Sequence, residues 1–507
     1  MSAKIYSVAL SGLDGQLVEI EVDTRMSIPS FSIVGLPDAA VMEARERVMS
    51  AIKNAGLPLP RGKIVVNLAP ADLKKVGPRY DLPIALGLIA FSKLVSDVSF
   101  KDTVFLGELA LDGKIRPITG ILVSTEFARR RGFRRIVVPK ENAREAAIIK
   151  GIEIIPVGHL KEAILFLNKQ LCALPIAPKA IETDSTAAVD MYMVKGQAQA
   201  KRALEIAAAG GHNVLMKGAP GAGKTLMARA LQGILPDMTQ EEMLEVTRIY
   251  SVAGQLPKQQ SLVAVRPFRV IHHTASAVSI VGGGSVPTPG EITLAHRGVL
   301  FLDEVAEFPQ EVLNVLRQPI EDGYITVSRA KATVTYPAKF SLVAAMNPCP
   351  CGYFGVEQQK GRCNCLAWRI KNYHQRLSGP FLDRIDMHLD VQPVEHAALL
   401  KSAAIAETSA EVRQRVNEAY QKQIARFRAH GITRNAEMNT AQIEKFCVLD
   451  TESKKLLHVA IDHLKFSARA YYRAIKMART IADLDNQDNI HPRHVSEALR
   501  YLYQKKL

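Results

Sequence analysis

Two stretches of this chain carry the residue types, at the spacing, that bind and cleave a nucleoside triphosphate. Gly218, Ala219, Pro220, Gly221, Ala222, Gly223, Lys224 and Thr225 run in that order as G-x-x-x-x-G-K-T. The glycines let the backbone curl so that successive N–H groups face phosphate oxygens, and a helix starting at the lysine adds the positive end of its dipole. Lys224 is expected to neutralise the β- and γ-phosphates of ATP, and Thr225 to hold Mg2+ through its hydroxyl. The second stretch, residues 298–304 (GVLFLDE), ends in adjacent carboxylates. Asp303 is expected to position the same Mg2+, and Glu304 to polarise the attacking water. Asn347 closes a third apolar run, FSLVAAM, with a side chain suited to sensing the γ-phosphate and orienting water.

Such residues act together only if the fold brings them to one edge of a sheet. His212 to Lys217 (HNVLMK) reads as a buried strand and Leu226 to Leu235 as a helix, the strand–loop–helix setting that the glycine loop requires. Open α/β sheets place ligands beyond the carboxyl ends of their strands, where Asp303, Glu304 and Asn347 fall. Two arginines follow in order, Arg384 in GPFLDRID and Arg469 just after Ser467 at the start of a helical stretch. The wider pattern predicts an α/β protein in several parts. Residues 1–170 alternate short strands (63–68, 136–139) with helices such as 40–54. Residues 171–193 are poor in pattern and hold two prolines, so they read as a linker. Residues 194–394 form a second α/β part with a parallel sheet. Residues 395–507 are nearly all helical in pattern, most clearly over 467–482.

At 507 residues the chain is too long for one hydrophobic core. Its net charge of +15, from 65 Lys and Arg against 50 Asp and Glu, favours polyanions such as DNA, although a basic surface without such a ligand gives the same balance. The N-terminus has no basic stretch followed by an apolar one, and the apolar run 82–91 is too short to span a bilayer. A cytoplasmic protein without membrane contact is therefore expected, and its six cysteines point to packing or metal, not to disulfides. Cys349, Cys351, Cys363 and Cys365 form C-x-C, eleven residues, C-x-C. Four such thiols suit tetrahedral Zn2+; the spacing is tighter than the usual C-x-x-C, and a redox-active or simply buried cluster is the alternative. Cys172 and Cys447 read as packing residues.

Two segments interrupt the second α/β part. Residues 280–289 (IVGGGSVPTP) hold three glycines and two prolines and read as a loop. Residues 324–336 (YITVSRAKATVTY) alternate β-branched residues about a basic tip and read as a β-hairpin. Arg329 and Lys331 at the tip either grip DNA phosphates or form a solvated turn. The arginines at 129–131, 134 and 135 pose the same choice.

The set GAPGAGKT, GVLFLDE, AAMNPCPCG, SGPFLDRID and FSARAYYRAIKMARTIADLD resembles the motif run of the magnesium-chelatase-like AAA+ ATPases, and within them the ComM/YifB group, over essentially the whole chain. The resemblance implies a P-loop AAA+ α/β core with a C-terminal helical lid. ComM members are hexameric DNA helicases that promote branch migration in natural transformation. The resemblance assigns Asn347 to sensor 1, Arg384 to the arginine finger that enters the neighbouring subunit's ATP site, and Arg469 to sensor 2, with Arg473 one turn later as the fallback. A finger supplied by the next subunit makes hydrolysis depend on a ring, so a homohexamer is implied. Arg317 is a candidate for a second interface arginine, and hairpins like 324–336 point into the pore in related ring motors.

Residues 105–120, 127–142 and Val76-Gly77-Pro78-Arg79 resemble the Lon protease C-terminal domain, an α/β fold like that of ribosomal protein S5 domain 2. Lon proteases use a Ser–Lys dyad. Arg79 stands at the serine position and Leu122 at the lysine position, so proteolysis is not expected, and DNA binding or ring stabilisation is expected instead. The function implied is an ATP-driven DNA translocase acting on branched junctions. The alternative is an AAA+ protein-remodelling or magnesium-chelatase-type motor subunit.

Overall fold

The computed structural model describes residues 3–170, 189–393 and 407–502, apart from 61, 93, 96–99, 258–260, 285–286, 330–331, 357–360, 378 and 465–466. It divides into two compact units, residues 1–182 with 243–264, and residues 183–242 with 265–507. Most of the stretch read as a linker, and Cys172, lie outside the described residues.

In the first unit, β1 (Ala3–Ser11) and β2 (Asp14–Arg25) pair antiparallel from Ala3↔Val22 to Ser11↔Asp14. β2 buries Val18, Ile20 and Val22, every second residue, as a sheet with one face on a core must. β3 (Ser30–Val34), α1 (Ala39–Asn54), β4 (Lys63–Ala69), α2 (Asp81–Ala90), β5 (Thr103–Phe105), α3 (Ile121–Arg130), β6 (Arg135–Pro139) and β7 (Glu153–Val157) follow. The seven strands lie in the order β3-β4-β2-β1-β5-β6-β7. The apolar run at 82–91 is α2, buried along almost its whole length, which is why it needs no polar face. Among the described residues no helix is long and apolar enough to cross a membrane.

The two positions where a Lon protease carries its dyad are filled differently here. Arg79 is buried and donates to the main-chain carbonyls of Val8 (3.5 Å) and Thr119 (3.0 Å), and burial pulls its pKa down. Leu122 is fully buried in α3. Neither position offers a nucleophile or a base. Part of the basic cluster nearby has partners within the unit: Arg130 pairs with Glu126 at 2.6 Å, and the Arg131 and Arg135 guanidinium groups lie over Phe127 and Phe166.

The second unit contains α4 (Ala198–Gly210), β8 (Val214–Gly218) and α5 (Lys224–Ile234). After α6 (Gln240–Ala253) come β9 (Phe268–Ile271), β10 (Val299–Leu302), β11 (Tyr324–Arg329), β12 (Ala332–Pro337), β13 (Ser341–Met346), α7 (Ala367–Gln375) and β14 (Met387–Val391). Five of the strands form a wholly parallel sheet in the order β9-β10-β13-β8-β14. The continuous apolar runs VLFL and SLVAAM are its central strands, buried on both faces. The C-terminal helices α8 (Ser409–Phe427), α9 (Ala468–Leu484) and α10 (Pro492–Arg500) belong to the same unit. α9 buries Ala470, Ala474, Ile475, Ala478, Ile481 and Ala482 along one stripe, and Asp483 near its end pairs with Arg426 and Arg479.

Two local outcomes differ from the sequence reading. Chain order puts residues 243–264 inside the second α/β part, yet they pack in the first unit. There Arg248 pairs with Glu126, the Ser251 hydroxyl donates to Glu145, and Gly120 N–H donates to the Ser251 carbonyl at 2.9 Å. The segment 280–289 is more ordered than a loop. Ile280 and Val281 end a short helix, Ala277–Val281, and Gly282–Gly283 then pairs antiparallel with Thr288–Pro289. A Cβ on Gly282 would meet the Thr288 carbonyl oxygen at 2.3 Å, so glycine serves close strand approach here, where the composition suggested only irregularity.

Candidate active site

β8 delivers the chain to Gly218 at the carboxyl edge of the parallel sheet, and α5 begins six residues later at Lys224. Gly221 (φ 79°) and Gly223 (φ 87°) take the left-handed backbone that folds the loop over, a conformation side chains disfavour. Lys224 is buried, and its ammonium donates to the carbonyls of Gly218 (2.7 Å) and Ala219 (2.9 Å) and to Oδ1 of Asn347 (3.0 Å). Burial pulls its pKa down, against the opposing pull of Asp303 and Glu304. The Thr225 hydroxyl donates to Oδ2 of Asp303 at 2.9 Å. A hydroxyl and a carboxylate in that contact are the hard oxygen donors that suit Mg2+. Lys224, Thr225, Asp303 and Asn347 thus come from three strand ends and meet at one edge.

Glu304 sits at φ 52°, ψ 46°, unusual for a residue with a side chain, just before the turn Val305–Glu307. Its carboxylate is half exposed, and Nδ1 of His273 lies 3.7 Å from Oε2. The His272 and His273 rings pack 4.2 Å apart, centre to centre, directly after the edge strand β9. No motif announces His273. Its only signal is position, a polar pair where an apolar strand reaches the edge that carries the carboxylates.

Arg384 and Arg469 lie elsewhere. Asp386 and Met387 donate their N–H groups to the Asn213 carbonyl, and the Asn213 amide donates to the Arg384 carbonyl at 3.0 Å. Asn213 precedes β8 and the phosphate loop follows it, so Arg384 stands at the amino edge of the sheet. The five residues of β8 separate the two edges, roughly 16 Å at about 3.3 Å per residue. Both arginines reach one carboxylate, Glu321 on the short helix Arg317–Asp322: Arg384 at 2.7 Å and Arg469 at 3.2 Å. Arg473, the fallback, is partly buried and donates to the Ile385 carbonyl, whereas Arg469 is exposed.

The four cysteines converge. Every sulfur lies within 4.8 Å of the others, with Cys349 to Cys351 at 3.3 Å and Cys349 to Cys363 at 3.8 Å. Sulfurs around a tetrahedral zinc with Zn–S of about 2.3 Å stand about 3.8 Å apart, so the donor set fits the ion. The cluster abuts the phosphate loop: a Cβ on Gly352 would meet the Pro220 ring at 2.5 Å.

The hairpin forms as expected, with β11 and β12 in register from Tyr324↔Pro337 to Arg329↔Ala332. Ile325, Val327, Val334 and Tyr336 are buried, and the Tyr336 hydroxyl donates to the Pro287 carbonyl at 2.8 Å. Arg329 ends β11, while Lys331 lies outside the described residues.

Comparison with known proteins agrees along the whole chain. The family described as "Magnesium chelatase, subunit ChlI" matches residues 190–399, "Subunit ChlI of Mg-chelatase" matches 20–142, and "Magnesium chelatase, subunit ChlI C-terminal" matches 406–502. The chain is 43% identical to the YifB protein of Escherichia coli K12 over 98% of its own length and 96% of that protein. It is 42% identical to the competence protein ComM of Haemophilus influenzae over 98% and 97%. Likeness to the chloroplastic magnesium-chelatase subunit ChlI of Oryza sativa subsp. indica is 24% and covers 32% of this chain and 46% of that one.

Proposed function

Because the chain belongs to the YifB/ComM group of magnesium-chelatase-like AAA+ ATPases, we propose that it works as a homohexameric ring that hydrolyses ATP to drive branch migration of DNA recombination intermediates in natural transformation. The observation that carries the ring is the separation of Arg384 from Lys224 across the sheet.

On this reading the loop N–H groups bind the phosphates, and Lys224 exchanges its carbonyl partners for phosphate oxygens. Thr225 and Asp303 hold Mg2+, which neutralises charge on the β- and γ-phosphates when bound. Glu304 draws a proton from the attacking water, with Asn347 orienting it. Arg384, too far to serve its own loop, stabilises the charge developing on a neighbour's γ-phosphate, with Arg469 beside it. The Cys349, Cys351, Cys363 and Cys365 set holds structural Zn2+ and braces the connection from Asn347 to Arg384.

DNA as cargo is supported by full-length likeness to a competence protein, by the +15 charge and by the hairpin β11–β12, whose sequence holds the basic Arg329 and Lys331. The rival, a chelatase-type or protein-remodelling subunit, draws on the family descriptions, but the pairwise likeness to a chelatase subunit is 24% over a third of the chain, against 42% over nearly all of it for ComM. ATP turnover measured with and without single-stranded and forked DNA separates them. Stimulation by DNA is expected, with Lys224→Ala and Glu304→Gln inactive. Absence of DNA binding at moderate salt with a non-hydrolysable nucleotide sinks the DNA reading.

A further inference from the structure

The connection from Asn347 to Arg384 carries more than cysteines. Of α7 only Tyr373 is buried. Trp368 on that helix is 57% exposed, Leu366 just before it 59%, and Phe354 in the turn after Cys351 48%. Three large apolar side chains left in solvent within one short stretch of chain mark a segment made to be covered. The charge around them describes what covers it. Residues 361–377 include Arg362, Arg369, Lys371 and Arg376 and no acidic residue. The Arg369 guanidinium lies 5.4 Å from the Trp368 ring centre, and that of Arg362 5.8 Å from Tyr353, so planar cations and aromatic rings already stack here. Beside Trp368 a depression of about 410 Å3 is lined by Pro350, Arg369, Asn372, Tyr373, Arg376 and Glu307, the last two paired at 2.7 Å.

We infer that this face binds single-stranded nucleic acid, with unpaired bases stacking on Trp368 and Phe354 and the adjoining phosphates taken by Arg362, Arg369 and Lys371. Stacking rings interleaved with cations are what a strand with free bases requires. A duplex keeps its bases stacked on one another and leaves the rings without a counterpart. A basic, apolar face on a second copy would need a matching acidic surface. The inference rests on the proposed action on DNA and adds the segment and the form of strand that it engages.

Trp368 is the one tryptophan of the chain, so its emission reports on this face alone. Full-length protein with a non-hydrolysable ATP analogue is titrated with a dye-labelled oligothymidylate, and tryptophan emission and dye anisotropy are followed together. Quenching is expected to saturate along with the anisotropy. Trp368→Ala is expected to weaken the oligonucleotide roughly 5- to 100-fold, the range for loss of one stacked ring, while Trp368→Phe keeps most of the affinity. Joint Arg369→Ala and Lys371→Ala is expected to reduce the salt dependence of binding. A rise in anisotropy with unchanged emission and wild-type affinity in Trp368→Ala overturns this face and leaves the DNA reading standing. No anisotropy change with any oligonucleotide overturns both. Emission that follows protein concentration without DNA, with smaller assemblies for Trp368→Ala, assigns the face to contact between copies and overturns the inference.

Discussion

At the carboxyl edge of the five-stranded sheet, Lys224 bonds to Asn347 and Thr225 to Asp303. At the amino edge, Arg384 and Arg469 share Glu321 and touch none of them. The first edge is a self-consistent cradle, since each polar group keeps a partner until phosphate displaces it. The second is a pair of cations held by one half-exposed carboxylate, ready to exchange it for another anion. One strand's length separates them, so on the proposed reading one chain carries both halves of the reaction without being able to close them on a single nucleotide.

The largest test of that contrast is Arg384→Ala. It is expected to bind ATP normally and to hydrolyse it about 10³-fold more slowly, the lower range for loss of an arginine finger. Mixing it with Lys224→Ala is expected to restore part of the turnover, because each supplies the edge the other lacks. Mixtures as inactive as their components would place both edges on one nucleotide and break the comparison. Next comes the connection between the edges. Metal analysis is expected to find one zinc per chain, and Cys349→Ser to lose it. Turnover should then fall roughly 10²-fold, the cost of misplacing a catalytic group by about 1 Å. Metal-free native protein with full activity removes the brace. At the carboxyl edge, His273→Ala removes the neighbour of Glu304 and is expected to slow turnover about 2- to 5-fold, the worth of a partly exposed polar contact of up to about 1 kcal/mol, with ATP affinity unchanged. Equal loss of affinity would make His273 a binding residue. The smallest effect is expected for Glu321→Gln at the amino edge. Exposed ion pairs contribute about 0.2–1 kcal/mol, so turnover should fall less than about 5-fold and thermal stability should hardly move.

Legibility in the sequence followed the range of the interactions. The strand before the phosphate loop, the helix after it and the apolar runs ending at Asp303 and Asn347 all formed where hydrophobic pattern put them, because burial on both faces of a parallel sheet leaves a continuous apolar signature. The segment 280–289 departs from the loop its composition predicts, because Gly282 serves close backbone pairing. His273 is not legible in the sequence, because one histidine after a strand is a weak signal without Glu304 beside it. Residues 243–264 gave no warning that they pack with the first unit, since helical periodicity shows that a face is buried and not against what.

By itself the sequence determined the chemistry available to this protein: a phosphate loop, adjacent carboxylates, four clustered thiols and a basic excess, each written in contiguous residues or in composition. Only the tertiary structure decided which groups meet. It set Asn347 on Lys224, Gly352 against Pro220 and Glu321 between two arginines, and it kept those arginines a strand's length from the loop. The physical reason is that a local run specifies backbone geometry and side-chain chemistry. The encounter of residues a hundred positions apart depends on the order and direction in which strands pair, which no single run encodes.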